Sequence, residues 1–428
     1  MKLKKTLFAL LCLAAAAPAR AGELDLLLDR LVDKNVLDPG EAQEIRIGTQ
    51  EEVKKEISQQ SNAELPMWLQ TLKFRGDVRL RLESTDNGNK QYVRNRGRYR
   101  LRFYVDAKVN DQVYTGFGFA SGSSSDPRST NQTFGDNFGK KNLYIDYVFA
   151  EYDASDILAF TAGRTKNPLW TTSELLWDAD VNPEGLSARI TLPLNYNWQF
   201  FGNAGYFVLN ELANDPQDPG LLFAQPGVSW HDSDGVYDFK AGAAVYGFDH
   251  VKGHVAATTL NYRPSTTDGY QQANTLAGGK YKYSYNSVSP ELEVNANILN
   301  PVPVPLLSCF GYNISYAGVY GNYVQAFDHG KNNKGWIGGV KIGQRKVEDA
   351  GQWQAGYSLR RLESDAWLDT YPDSDFYGGS ANVEGQKFQL SLGLLRDFAL
   401  NLAFIESSPI TGALKGERIF QSDINLKF

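Results

Sequence analysis

The stretch TLKFRGDVRLRLE, Thr71 to Glu83, decides the reading of this chain. Leu72, Phe74, Gly76, Val78, Leu80 and Leu82 fall on one side of it, and Lys73, Arg75, Asp77, Arg79, Arg81 and Glu83 on the other. Successive side chains of an extended strand point to opposite faces, so polarity with a period of two gives one apolar wall and one charged wall. Arg98 to Val109 repeats the pattern: Tyr99, Leu101, Phe103, Val105, Ala107 and Val109 alternate with Arg98, Arg100, Arg102, Asp106 and Lys108. A soluble β-sandwich also alternates, but its strands usually run shorter. Here they reach about 10 to 13 residues, near the roughly 9 to 11 that a tilted strand needs to cross a bilayer. Tyr99, Tyr147, Trp336, Trp353 and Phe388 recur near segment ends, as aromatic girdles at the two interfaces would. The expected fold is all-β, a transmembrane antiparallel β-barrel.

Extending the pattern outward predicts sixteen strands, at 71–83, 97–109, 112–121, 141–152, 157–165, 184–194, 196–209, 221–231, 236–248, 280–297, 307–325, 335–346, 352–363, 386–396, 399–407 and 418–428. Short turns alternate with longer connections, of which 122–140, 166–183, 210–220, 249–279 and 364–385 are the longest. Outer-membrane barrels have an even strand number, short periplasmic turns and longer external loops. The run 221–231 contains Pro226, and the alternation slips between Ser287 and Pro290 in 280–297; without those two the number is fourteen. Arg418 to Phe428 ends the chain on an amphipathic strand with an aromatic last residue, like the assembly signal of such barrels.

The first residues read differently. Lys2, Lys4 and Lys5, the apolar core Leu7 to Ala17, and Ala19-Arg20-Ala21 make a secretory signal peptide over 1–21. Leu24, Leu27, Leu28, Leu31 and Val32 then have helical spacing, and Asp38-Pro39-Gly40-Glu41 supplies a capped start for a second, charged helix. Residues 22–66 are thus a periplasmic helical segment, either a solvated linker or a coiled-coil element that docks a partner, ahead of a barrel over 71–428. Removing the signal takes away four basic residues and leaves 39 basic against 49 acidic ones, a balance that argues against a nucleic-acid partner. Only Cys309 of the two cysteines remains, so no internal disulfide holds the exported chain. The mean hydropathy of −0.39 looks soluble, yet 23 Tyr, 23 Phe and 40 Gly suit strands that show lipid only half their residues.

A barrel of about sixteen strands is wide enough for an aqueous channel. Lys73, Arg75, Arg79, Arg81, Arg98, Arg100, Arg102 and Lys108 are its candidate pore-lining basic residues. The third external loop, Lys166 to Pro183, carries Trp170, Trp177 and three leucines, a composition unsuited to a loop in water. It is expected to fold inward as a constriction formed by Lys166, Trp170, Glu174, Trp177, Asp178, Asp180 and Glu184. Its four acids would then face the basic wall and set up a transverse field that orients dipolar solutes. Structural ion pairs between neighbouring strands are the competing account of the same arginines.

Three stretches carry a resemblance: LLDRLVDKNVLDPGEAQEIR (Leu27 to Arg46), GRTKNPLWTTSELLWDADVNPEG (Gly163 to Gly185) and FQSDINLKF (Phe420 to Phe428). They resemble the putative porin family of Gram-negative outer membranes, and the helical pair is similar to the one that precedes the barrel of phosphate-selective porins. The resemblance implies a porin-type barrel in outer-membrane lipid with a periplasmic N-terminus, a homotrimer, and passage of small polar solutes or ions. A plugged barrel anchoring a periplasmic partner through its helices is the alternative. His231, His250, His254 and His329 fall in turns and loops without a nucleophile or metal-ligand pattern, so neither an enzymatic activity nor a cofactor is expected. Asp365, Asp369, Asp373 and Asp375 read as a solvated acidic loop rather than a cation site.

Overall fold

The computed structural model describes Asp38, Ile45 and residues 67–428, less 215, 257–269, 271–272 and 304–312. The signal segment and almost all of 22–66 therefore lie outside the described residues. The chain divides into Met1–Gln70 and Thr71–Phe428. In the first unit Met67–Gln70 forms a single helical turn, α1.

The second unit is one closed sheet. Its first eight strands are β1 Lys73–Asn87, β2 Arg94–Lys108, β3 Val113–Ala120, β4 Tyr144–Ser155, β5 Leu158–Arg164, β6 Glu184–Pro193, β7 Trp198–Val208 and β8 Gly220–His231. The remaining eight are β9 Tyr237–Asp249, β10 Ser287–Pro303, β11 Asn313–Ala326, β12 Lys334–Gly343, β13 Trp353–Leu362, β14 Val383–Leu395, β15 Phe398–Pro409 and β16 Glu417–Lys427. Each pairs antiparallel with the next, and β16 returns to β1 in a register from Asp77↔Lys427 to Asn87↔Glu417. A two-residue strand, Gln132–Thr133, adds to β2. Phe428 completes the seam: its carbonyl accepts from the Gly76 amide at 2.8 Å and its amide donates to the Gly76 carbonyl at 3.1 Å. A Cβ on Gly76 would lie 2.6 Å from the Phe428 ring and 2.5 Å from the Arg102 carbonyl oxygen, so the seam closes only over a glycine.

The connections at 109–112, 156–157, 194–197, 232–236, 344–352 and 396–397 share one end of the barrel, and the longer ones the other. Burial along the strands is inverted relative to a water-soluble protein. Leu80, Leu82, Phe117 and Leu426 are exposed on the outer face, whereas Asp77, Arg81, Glu83 and Asp423 are buried on the inner one. Such an exterior needs hydrocarbon around it.

Strand β10 differs from expectation, whereas β8 agrees with it. The predicted 280–297 begins at Ser287 and runs on to Pro303, because Leu276–Ala277 and Lys280–Tyr281 form a separate small hairpin and Tyr285, at φ 64°, breaks the extended path. Strand β8 keeps Pro226, where its ladder to β9 is interrupted between Ala224 and Gly227 and the missing amide is not called on. Tyr147 is not a girdle aromatic. The register slip that carries Gly118↔Tyr147 to Phe119↔Ile145 makes Asp146 an extra residue, and the bulge turns Tyr147 inward to stack on Tyr104 at 4.8 Å. Trp336 and Phe388 do stand on the outer face.

Neighbours on β14 test the two faces. Leu390→Arg, on the outer surface near the middle of the strand, is expected to cost about 2–4 kcal/mol of barrel stability, as a charge facing lipid near the midplane does. Gln389→Arg, which faces the lumen, should shift it by less than about 1 kcal/mol. Equilibrium urea unfolding in liposomes reads both, and equal costs would contradict the assignment of faces.

Candidate functional site

The inner faces of β1 and β2 put cations against cations. Their register sets Arg79 opposite Arg100 and Arg81 opposite Arg98, an arrangement that repels unless acids intervene. Asp77 takes the Nε–H groups of Arg100 and Arg102 at 2.8 and 2.6 Å. Asp423 grips Arg81 through two bonds of 2.7 and 2.8 Å, and Asp375 adds a third contact at 2.7 Å. Arg98 reaches Glu83 at 3.2 Å and Arg75 reaches Asp106 at 2.8 Å. Arg79 differs: it donates to the Asn131 side chain at 2.7 Å and has Asp423 only at 3.9 Å, while its buried Nε finds no acceptor among the described residues. Cross-strand ion pairs are thus present, and much of the wall also lines an open cavity of about 760 Å³. Lys73 and Lys108 sit at the short-turn end and do not line it; Lys108 instead meets Asp111 at 3.0 Å.

The loop at 165–183 leaves the wall between Gly163 and Gly185, which pair with each other and have φ of 118° and 156°. A Cβ there would lie 2.4 Å and 2.1 Å from the carbonyl oxygens of Val148 and Tyr206, so both positions require glycine. The loop is packed inside the barrel. Leu175, Leu176 and Trp177 are buried in one apolar cluster with Phe223, Tyr246 and Trp367. Trp170 exchanges backbone bonds of 2.9 and 2.7 Å with the Gln225 side chain, and Lys240 lies 4.9 Å over its ring. The Thr172 amide donates to Glu291 at 2.7 Å. Asp180 accepts from the Thr130 amide and hydroxyl at 3.1 and 2.8 Å and from Arg102 at 3.3 Å.

The acidic segment 363–382 is not a solvated loop, contrary to expectation. Trp367, Asp365, Asp369 and Asp373 are buried, because neighbouring loops satisfy the acids: Asp365 accepts from the Thr275 amide and hydroxyl at 2.7 Å, and Asp369 from the Ala273 amide at 3.0 Å. This segment interlocks with 165–183. Asp178 accepts from the Ser374 amide at 2.8 Å and its own amide donates to the Tyr371 carbonyl at 2.8 Å. Carboxylate oxygens of Glu174, Asp178 and Asp373 come within 4.8 Å of one another. Oxygen donors of this kind suit a hard cation, but Lys387 at 3.5 Å and Arg360 at 3.9 Å from Asp373 already supply countercharge. Lost hydration and the Asp373 charge push Glu174 up to about 7. Lost hydration and Glu174 likewise raise Asp178. Burial would raise Asp375 too, but Arg81 and Arg98 outweigh it and hold that carboxyl below the usual range.

The expected field between loop acids and arginine wall is therefore only partly assembled. Asp180 meets Arg102. Glu174 and Asp178 line the same cavity, but the Glu174 carboxylate accepts from the Ala179 amide of its own loop and the Asp178 carboxylate from the Ser374 amide. Glu184 opens β6 and pairs with Arg164 at 2.7 Å, away from the basic wall. Lys166 lines the cavity 5.3 Å over the Tyr104 ring, and lost hydration and Arg102 lower its pKa. Sequence reasoning missed Arg128, which is buried within 121–143 and donates to the Gly379 and Gly378 carbonyls at 2.9 and 3.2 Å. It also missed the neutral wall of the cavity: Gln389, Ser391, Asn401 and Asn425 on β14, β15 and β16. The aromatics of 363–382 were the available signal, since Trp367, Tyr371, Phe376 and Tyr377 are as unsuited to water as those of 166–183.

The raised carboxyls give the interlock a pH dependence. Between about pH 4.5 and 7 the folded protein holds protons that the unfolded chain would release, so the contact loses stability as pH rises through that window. Hydrogen exchange of peptides over 363–382, corrected for intrinsic rate, should show more opening at pH 8 than at pH 5, and Glu174→Gln should flatten the difference. Equal protection at both pH values in the unmodified protein would contradict this.

Comparison with known proteins agrees with the architecture. A family model described as "Putative porin" matches residues 85–281 and 281–428. The high-pH structure of Pseudomonas putida OprB superposes with a TM-score of 0.53 at 11% identity, covering 84% of this chain and 95% of that one. Salmonella typhi OmpF gives 0.48 at 8% identity over 83% and 97%, and the outer-membrane channel DcaP of Acinetobacter baumannii 0.43 at 13% over 83% and 97%. No curated protein matches in sequence.

Proposed function

Because the chain belongs to the family of porins described as "Putative porin", we propose that it is a passive diffusion channel of the outer membrane for small polar solutes or ions, narrowed by the loop at 165–183. The observation that carries this reading is that loop, held inside the barrel by its own buried Trp177 and leucines beside an open, charge-lined cavity. Lys166, Glu174, Asp178 and Asp180 from the loop, with Arg75, Arg79, Arg81, Arg100 and Arg102 from the wall, border the free space. Both ends of the barrel strand set, Lys73 and Lys427, lie at the short-turn end, which supports a periplasmic N-terminus. Replacing Trp170 to Asp180 with a short Gly/Ser linker should raise single-channel conductance in a planar bilayer. An unchanged conductance would remove the loop from the constriction.

A second reading has its own support. The loops at 165–183, 250–286 and 363–382 share one apolar cluster inside the barrel, as a plug would, and a barrel so filled could serve as an anchor for a periplasmic partner of the N-terminal segment. A silent bilayer from folded protein would favour it. The outward apolar faces suit a homotrimer, as the family resemblance implies, and light scattering of the detergent-solubilised protein should give the mass of three chains; a monomer mass would refute it.

A further inference from the structure

The cavity has two unlike walls, and together they describe a ligand. On the β1–β2 side two cations lack a close acid. Arg79 has its buried Nε without an acceptor and no carboxylate nearer than 3.9 Å among the described residues. Lys166 makes no ion pair among them and rests on the Tyr104 ring. Across the cavity, β14, β15 and β16 present Gln389, Ser391, Asn401 and Asn425, none of whose side chains has a hydrogen-bond partner among the described residues. Among the lining side chains eleven are basic and eight acidic, so the space as a whole favours an anion.

The chemistry of each wall is specific. A guanidinium with an unpaired N–H and an ammonium lining the same cavity are donors only, matched by a carboxylate or another oxyanion. Primary amides and a hydroxyl both donate and accept, which is what a row of hydroxyl groups requires. A bare inorganic anion would use the first wall and leave the second idle; a neutral sugar would do the reverse and leave the cations uncompensated. The cavity of about 760 Å³ is in the size range of small-molecule sites.

We propose that this cavity is a binding site for small polyhydroxylated carboxylates, sugar acids in chemical class, with the carboxylate on Arg79 and Lys166 and the hydroxyls on the wall of Gln389, Ser391, Asn401 and Asn425. As a station for a solute in transit it rests on the channel reading above; as a binding site it does not.

Isothermal titration of the detergent-solubilised protein with D-gluconate, hexanoate, D-glucose and inorganic phosphate tests it, alongside the same additions in a planar bilayer. Gluconate should bind at least about tenfold more tightly than any of the other three, a difference of about 1.4 kcal/mol. Arg79→Gln and Lys166→Gln should each weaken gluconate about tenfold. Asn401→Leu should weaken gluconate and leave hexanoate unchanged. Heat-modifiable gel mobility confirms that each variant is folded. Hexanoate, glucose or phosphate binding as tightly as gluconate, or no gluconate binding at all, overturns the proposal. Open current steps without gluconate binding would defeat the site and spare the channel; gluconate binding to a protein that never conducts would do the opposite.

Discussion

Everything in this structure depends on the seam between β16 and β1. A sheet facing hydrocarbon cannot leave a row of amides and carbonyls unpaired, so it must close. The eleven-residue register from Asp77↔Lys427 to Asn87↔Glu417 does this, and the Gly76–Phe428 pair finishes it. Once the ladder has no edge, each side chain has only two destinations, and alternation along the strand assigns them. The apolar exterior and the charged interior are then consequences of closure rather than separate features.

Closure also creates a space that strand side chains cannot fill, since a barrel of this width encloses an aqueous lumen. The chain fills part of it with its own loops, and that requires an apolar inner surface at the loop end. The strands provide one: Leu221 and Phe223 face inward while Leu222 between them faces out, and Phe207, Tyr246, Val324 and Leu362 are buried inward in the same way. Where loops dock, both faces of a strand are apolar and the alternation weakens. Away from the docked loops the inner surface stays polar, which is why the cavity lies between the arginine wall and the amide wall.

The fold was legible in the sequence because its determinants are local. A period of two over ten or more residues is visible in a single strand, and turn lengths fix the parity of the rest. The bulge at Asp146 was not, because one extra residue in a ladder depends on the partner strand. The site was legible only in its outline. Arg75 to Arg102 and the inward loop were found from composition, but the partners were not: Asp423 lies 342 positions from Arg81, and Ser374 lies 196 positions from Asp178. Glu184 was misassigned because a nearer arginine, Arg164, takes it. The amide wall left no trace, since glutamine, serine and asparagine on an inner face look like those of any solvated strand.

The register of β1 and β2 explains why the cavity stays open. Arg79 opposite Arg100, with Asp77 already shared by Arg100 and Arg102, leaves a surplus of positive charge on the wall. In a packed, low-dielectric interior that surplus would be prohibitive, because an unpaired buried cation costs several kcal/mol. Beside a hydrated lumen it is tolerable, since water and mobile anions screen it at short range. Loop 165–183 does not cancel the surplus, because among the described residues Asp180 is the loop acid that bonds to the wall, while Glu174 takes the Ala179 amide of its own loop and Asp178 the Ser374 amide. The arginine register and the open cavity are therefore one arrangement: filling the space with protein would require a different sequence on β1 and β2.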